Sequence, residues 1–490
     1  MKMKQVLCLL LAVLTLLPLL CACAVRKPTD GGETTASSTT GGTVGETELP
    51  LPPKTDYKEW EFTIAAPQPN DWGVMSYDRE EMTNDTINDA IYTRNRQLEK
   101  YFNITIKTET LGWTGTQADE FKSFQLANED KIDMIAVGFY QSGKPLIVQD
   151  MILPWNGVKH IDLTQDWWNE SVSKTLSIHG NYYLLVGDVN WYTMKETAVC
   201  YFNKVVANRY EAKVGDLYQM VRDKQWTFDK ALTIAQSIST DNGDGTWDEK
   251  DIYGAVQNAV IGTTGFLYAA NYRTVIPGKD GPQMNFLTEK MQNIVNYIYS
   301  FCFENNASYT EAVGFIEESK GIEIFFADRA LLMFFSMRHA EAFRQYDSDF
   351  GIIPYPLYDE KQKEYSTFCD QWGLSCGLPC TATDTDRTGA ILEYMSRLSR
   401  DLIVPAYYDK TLMGKIKRDD ESEEMLNIIF SNILYDIGIC YCTDLDLVIC
   451  ESMVRNQSHD LMSWYRTRQN KLERNYKDLF DHVAEKKAQG

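Results

Sequence analysis

The chain has 490 residues, 44% of them hydrophobic and 24% charged, enough to bury a large core divided into two or three lobes. Lys and Arg number 48 against 69 Asp and Glu, a net charge of -21. A surface that acidic repels nucleic acid and anionic lipid, which excludes both as partners.

The chain opens with Lys2 and Lys4 ahead of an apolar run from Val6 to Leu20. The run is short for a membrane span and holds Pro18, so it reads as a signal peptide. It closes on Leu20-Cys21-Ala22-Cys23, which resembles the lipobox of bacterial lipoproteins, with Cys23 the lipidated residue. A diacylglycerol on Cys23 would hold the mature chain on the outer face of the cell membrane. Residues 27–54 are Gly, Ser, Thr and Pro with almost nothing to bury, and read as a flexible tether.

Folded structure is expected from about Trp60. "WEFTIAA" reads as a strand and "TINDAIYTRNRQLEKYF" as a helix with Ile87, Ile91, Leu98 and Tyr101 on one face. "NITIKTE", "QADEFKSFQLANED" and "KIDMIAV" continue as strand, helix and strand. That alternation is a doubly wound α/β unit, in which ligands sit beyond the carboxyl ends of the strands. A second α/β portion follows: strand "ETAVCYFNK", helix "TFDKALTIAQSI" capped by Thr227, helix "LTEKMQNIVNYIYSF", and strands "RALLMFF" and "DFGIIPYP". Helices "DRTGAILEYMSRLSRD" and "ESEEMLNIIFSNI" come later.

Several stretches then occur in order: "INDAIYTRNRQLEKYFNI", "DLTQDWWNE", "HGNYYLLVGDVN", "CYFNKVV", "NGDGTWDEKDIYG" and "DFGIIPYPLYDE". Behind a lipobox and tether, this order resembles the carbohydrate-type extracellular solute-binding proteins of bacterial ABC importers (family 1). The resemblance implies a two-lobed, type II periplasmic-binding-protein-like α/β fold with hinge strands between the lobes. It implies a monomer that captures a carbohydrate between them and hands it to importer permeases, without catalysis and with no required cofactor. The boundaries it implies are 1–23 signal peptide and 24–58 tether. The first lobe is then 59–193 with about 372–437, and the second 194–371 with about 438–490. The residues themselves leave two alternatives open: a secreted carbohydrate-active enzyme, or a solute or peptide receptor that senses without transport.

Five residues are expected to meet the ligand. Tyr140 follows the third strand. Trp191 and Glu196 stand at the first crossing between lobes. Arg338 ends "LLMFFSMR", where relatives carry a stacking aromatic, and Trp372 stands where the chain crosses back. Aromatic rings cover the apolar face of a pyranose, and charged groups bind its hydroxyls. Trp167 and Trp168 of "DWWN" read as structural.

"TDNGDGTWDEKD" matches the register of a twelve-residue calcium loop. Asn242, Asp244, Thr246, Asp248 and Asp251 fall at ligand positions and Gly245 at the turn. Thr240 replaces the usual first Asp, and Asp251 is a methylene short of the usual Glu. A structural calcium and an ion-free Asx turn are both open. The eight cysteines after the tether read as buried thiols, with a disulfide open in an exported chain and no metal assigned.

Overall fold

A computed structural model describes residues 51–68, 76–112, 117–127, 131–139, 142–278, 281–311, 319–346, 348–370, 373–412, 420–441 and 456–489. The expected signal peptide, Cys23 and most of the tether lie outside them.

Among the described residues the strands are, in chain order, β1 (Trp60–Pro67), β2 (Ile104–Leu111), β3 (Met134–Gly138), β4 (Ile152–Leu153), β5 (Ala198–Asn203), β6 (Tyr253–Asn258), β7 (Val275–Gly278), β8 (Gly281–Met284), β9 (Ser308–Glu311), β10 (Ala330–Ser336), β11 (Phe350–Ile353), β12 (Thr367–Phe368), β13 (Leu374–Pro379) and β14 (Ile433–Leu434). They make two five-stranded sheets, ordered β2-β1-β3-β13-β4 and β11-β5-β10-β6-β9, and two small pairs, β12-β14 and β7-β8. In the first sheet β1, β2 and β3 run parallel and β13 returns antiparallel. In the second, β6, β9 and β10 run parallel, and β5 is antiparallel to β10 and β11.

Position in the sheet explains the residue pattern. Central β1 is covered on both faces, so its residues from Phe62 onward are all buried. Edge strand β2 opens with buried and exposed residues in alternation. The expected helix over Thr86–Phe102 is present. Asp85 caps it by accepting from the backbone N–H of Ile87 and Asn88, and Asn103 ends it in the left-handed region at φ 51. Ile87, Ile91 and Leu98 are buried as the period predicts. Phe102 takes the place expected for Tyr101, whose hydroxyl reaches the Pro52 carbonyl at 2.9 Å. Thr227 caps Phe228–Ile238 through the Lys230 N–H, as expected.

Each sheet carries apolar clusters of its own. Phe62, Leu98 and Leu378 belong to one on the first sheet, Phe266, Leu332 and Trp226 to one on the second. Two segments depart from the expected lobe boundaries. Helix Asp420–Ser431 buries Leu426 and Ile429 in the cluster of the second sheet, with Ile352 of β11. Helix Leu461–Gln489 spans both lobes: Leu461, Trp464, Tyr465 and Leu472 join a second-sheet cluster, while Leu479, Phe480 and Val483 join a first-sheet one. Its apolar spacing is long enough to serve two cores in succession. Asp150 holds its far end through Lys486 at 2.7 Å and His482 at 3.0 Å.

The double tryptophan is a structural device. Trp167 and Trp168 donate their indole N–H groups to the two oxygens of one carboxylate, Glu393, at 3.0 and 2.7 Å. Asp162 N adds a third bond at 3.2 Å. Burial pushes Glu393 up to about 7, against the pull of these donors. Gln offers one acceptor where two indoles need one each. Glu393→Gln is therefore expected to cost about 1–3 kcal/mol, read as a lower denaturation midpoint at unchanged m value.

Candidate functional site

The chain leaves the first lobe through a short 3-10 segment, Asp188–Glu196, kinked at Asn190, and enters β5 at Ala198. It returns through residues just before β13. Backbone bonds tie the two crossings together. Thr197 pairs with Cys369, and the Asp370 N–H donates to the Glu196 carbonyl at 2.9 Å. Thr193 Oγ1 donates to the Leu374 carbonyl at 3.1 Å and accepts from its N–H at 3.0 Å. The Met337 N–H, just past β10, donates to the Thr197 carbonyl at 2.8 Å. Glu196 thus stands where three segments meet.

Its side chain is fully buried. Oε1 accepts from Arg338 Nη1 at 3.4 Å, and Oε2 has no hydrogen-bond partner among the described residues. Tyr192, one helical turn earlier, interacts with both Glu196 and Arg338, and burial raises its hydroxyl pKa well above the ordinary value. Burial works against the Arg338 charge, but Glu196, Tyr192 and Asp370 outweigh it and raise its pKa. His339 is pushed down to about 3, by burial and then by Arg338, and stays neutral. The parallel strands β6, β9 and β10 point their carboxyl ends to this side, where doubly wound sheets place ligands. Glu311, the last residue of β9, is raised by burial.

Of the five expected contacts, the fold brings Glu196 and Arg338 together. Tyr140 and Trp372 lie outside the described residues. Trp191 lies on a different face of the crossing segment. It packs against Tyr407 at 5.7 Å between centroids, in a cluster with Ile87, Ile91 and Ile403. It also lines a cavity of about 330 Å3 whose lining includes neither Glu196 nor Arg338. Sequence reasoning passed over Tyr192 and Asp370. The i, i+4 spacing of Tyr192 and Glu196 was the available signal for the first. Asp370 becomes part of the site only through its pairing with the first crossing.

The candidate calcium loop is closed by its own hydrogen bonds. Buried Asp251 accepts from Asn242 N–H at 2.8 Å through one oxygen and from Asp248 N–H at 2.7 Å through the other. Asn242 Oδ1 accepts from Asp244 N–H, and Asp244 Oδ1 from Thr246 N–H. Lys250 Nζ sits 3.0 Å from Asp248 Oδ2. Gly245 has φ 77, as the turn requires. Among the described residues no three His, Cys, Asp or Glu side chains converge as for a metal. Cys200, Cys302, Cys369, Cys376 and Cys440 are buried free thiols, and Cys380 is an exposed one. Asp251→Ala would strand two N–H groups and is expected to destabilise the protein by about 1–3 kcal/mol, measured by denaturant unfolding.

No protein-family model and no curated protein matches the chain in sequence. Solved structures do match its fold. A cyclo/maltodextrin-binding protein complexed with maltotetraose superposes with a TM-score of 0.55 at 10% identity, over 88% of this chain and 98% of that one. UgpB from Mycobacterium tuberculosis, in complex with glycerophosphocholine, gives 0.54 at 12% identity, over 80% and 95%. The GacH receptor of Streptomyces glaucescens, solved unliganded and with acarbose, gives 0.52 at 11%, over 83% and 98%. The chain therefore has the two-lobed periplasmic-binding-protein-like fold.

Proposed function

We propose that the protein is an extracytoplasmic receptor that captures a carbohydrate between its lobes and delivers it to an ABC importer, tethered to the membrane through Cys23. One observation carries this reading. Glu196 presents a buried carboxylate oxygen without a donor, at the point where both crossings and the end of β10 meet. An acceptor in that position suits a sugar hydroxyl, and Arg338 beside it donates to a hydroxyl oxygen. The solved neighbours support the reading by what they hold: maltotetraose in one and acarbose in another. Tyr140 and Trp372, on sequence position, supply the stacking rings of this proposal. Binding without catalysis is part of it.

Thermal-shift screening against maltose, maltotetraose and a panel of other mono- and oligosaccharides identifies the ligand, since a ligand of the folded state raises Tm. Each charged hydrogen bond contributes about 1.5–3 kcal/mol. Glu196→Gln and Arg338→Met should then each weaken calorimetric affinity by roughly 10- to 150-fold. Unchanged affinity in both places the ligand elsewhere, and release of reducing ends makes the protein an enzyme. Cys23→Ser should free the chain from the membrane fraction; a variant still processed and partitioned like the parent refutes the anchor.

Calcium binding at residues 240–251 is the second part of the proposal, and it rests on sequence register alone. As arranged, the loop suits an ion-free turn, because Lys250 already neutralises Asp248 and both Asp251 oxygens accept backbone N–H groups. Calcium would have to take Asp248 from Lys250. The expected outcome is a Tm raised by calcium and lowered by chelator, with no response in Asp244→Ala. Melts indifferent to both assign the loop to the turn.

A further inference from the structure

The crossing segment has a second face. Behind it lies a cavity of about 330 Å3, within the range of small-ligand sites. Asp166 to Glu170 and Val186 to Asp188 of the first lobe form one wall, and Asn427, Phe430 and Ser431 of helix Asp420–Ser431 the other. Asn190, Trp191, Thr193 and Met194 close it, while Glu196 and Arg338 take no part in its lining.

Its lining combines rings with an excess of acid. Trp191, Tyr408 and Phe430 contribute aromatic surface. Tyr408 and Phe430 meet edge to face, 5.8 Å between centroids at 89°. Asp188 projects into the cavity with its side chain 16% exposed, and its ion pair is a single 3.4 Å contact to Arg400, itself 45% exposed. Asp166 stands at the rim with no ion-pair partner among the described residues, and Glu170 is matched by Lys174 at 2.8 Å. Asp188 and Asp166 thus act on each other with one lining cation, Arg400, beside them. A ring-lined pocket in which two carboxylates share one cation has the chemistry that receives an organic monocation, through cation–π attraction and an ion pair together.

We propose that this cavity is a second binding site, for a small organic monocation of the quaternary or primary amine class. The cation docks against Tyr408 and Phe430, beside a Trp191 ring that already has Lys195 Nζ 5.7 Å from its centroid, and pairs with Asp188, sharing that carboxylate with Arg400. Burial pushes Asp188 up to about 7, partly offset by Arg400 and reinforced by Asp166. These two, with the Tyr408 hydroxyl, are the charged and titratable groups facing it. The carboxylate thus gains from an added cation, and a cation binds its ionised form.

The test uses the full chain and choline, with 3,3-dimethyl-1-butanol as the uncharged probe of the same shape. Choline is expected to quench tryptophan fluorescence and raise Tm, and the alcohol to do neither. Affinity should fall as pH is lowered through about 7. Asp188→Asn should weaken choline at least tenfold. Arg400→Gln removes the competing cation and should tighten choline severalfold, a gain that an unfolded variant cannot imitate. Absence of choline binding, equal binding of the alcohol, or weaker choline binding in Arg400→Gln overturns the proposal. A Glu196→Gln variant separates the two sites: choline response lost there, with Asp188→Asn inert, places the cation in the front cleft and refutes the second site while leaving the receptor reading standing.

Discussion

A carboxylate buried at the seam between two sheets sets conflicting demands. The Glu196 backbone is fixed by the pairing of the two crossings, so its side chain cannot move outward without breaking that pairing. Burying a charge without compensation costs several kcal/mol. The Arg338 contact, at 3.4 Å, is longer than the 2.7–2.9 Å of a strong charge-assisted bond, so it compensates only in part. Asp370 draws on the same guanidinium. The remaining deficit is a buried acceptor, Glu196 Oε2, without a hydrogen-bond partner among the described residues.

The rest of the architecture keeps that seam in place. Gly373, just before β13, leaves little room for a side chain: a Cβ there would lie 3.1 Å from the Phe139 ring and 3.2 Å from Thr193, and one of them would have to give by a few tenths of an ångström. Helix Leu461–Gln489 acts over a longer distance, because its two halves are buried in clusters of different sheets. Any change of angle between the lobes must bend this helix or slide one of its halves.

Patterning made much of the fold legible, and its failures have physical causes. Strands β1, β3 and β10 read correctly because central strands of covered sheets are continuous apolar runs. Helix Ile261–Ala269 escaped because all nine of its residues are buried, so no polar face marks its period. The final helix escaped because its apolar residues are shared between two cores and its surface is charged. At the candidate site, Glu196 was expected as the polar residue opening strand "ETAVCYFNK" and Arg338 as the one closing "LLMFFSMR", and the fold brings these two side chains together. The placement of Trp191 was not: the 3-10 geometry of Asp188–Glu196, with its kink at Asn190, turns that ring toward the rear cavity, and no periodicity in nine residues announces it.

The two faces of that segment also differ in how their charge responds to protons. In front, the imidazole of His339 stays neutral through the physiological range because burial and Arg338 hold it down to about 3, while Arg338 keeps its charge. An uncharged sugar needs such a fixed pattern of donors and acceptors, since each hydroxyl is recognised by one partner in one protonation state. Behind, Asp188 near 7 is poised between two states. A group so poised is unsuited to holding a neutral ligand with constant affinity, but responds strongly to an arriving positive charge. The surroundings of one short segment therefore differ in charge as well as in shape, because its 3-10 turn sends Tyr192 and Glu196 toward Arg338 and turns Asp188 and Trp191 to the rear cavity.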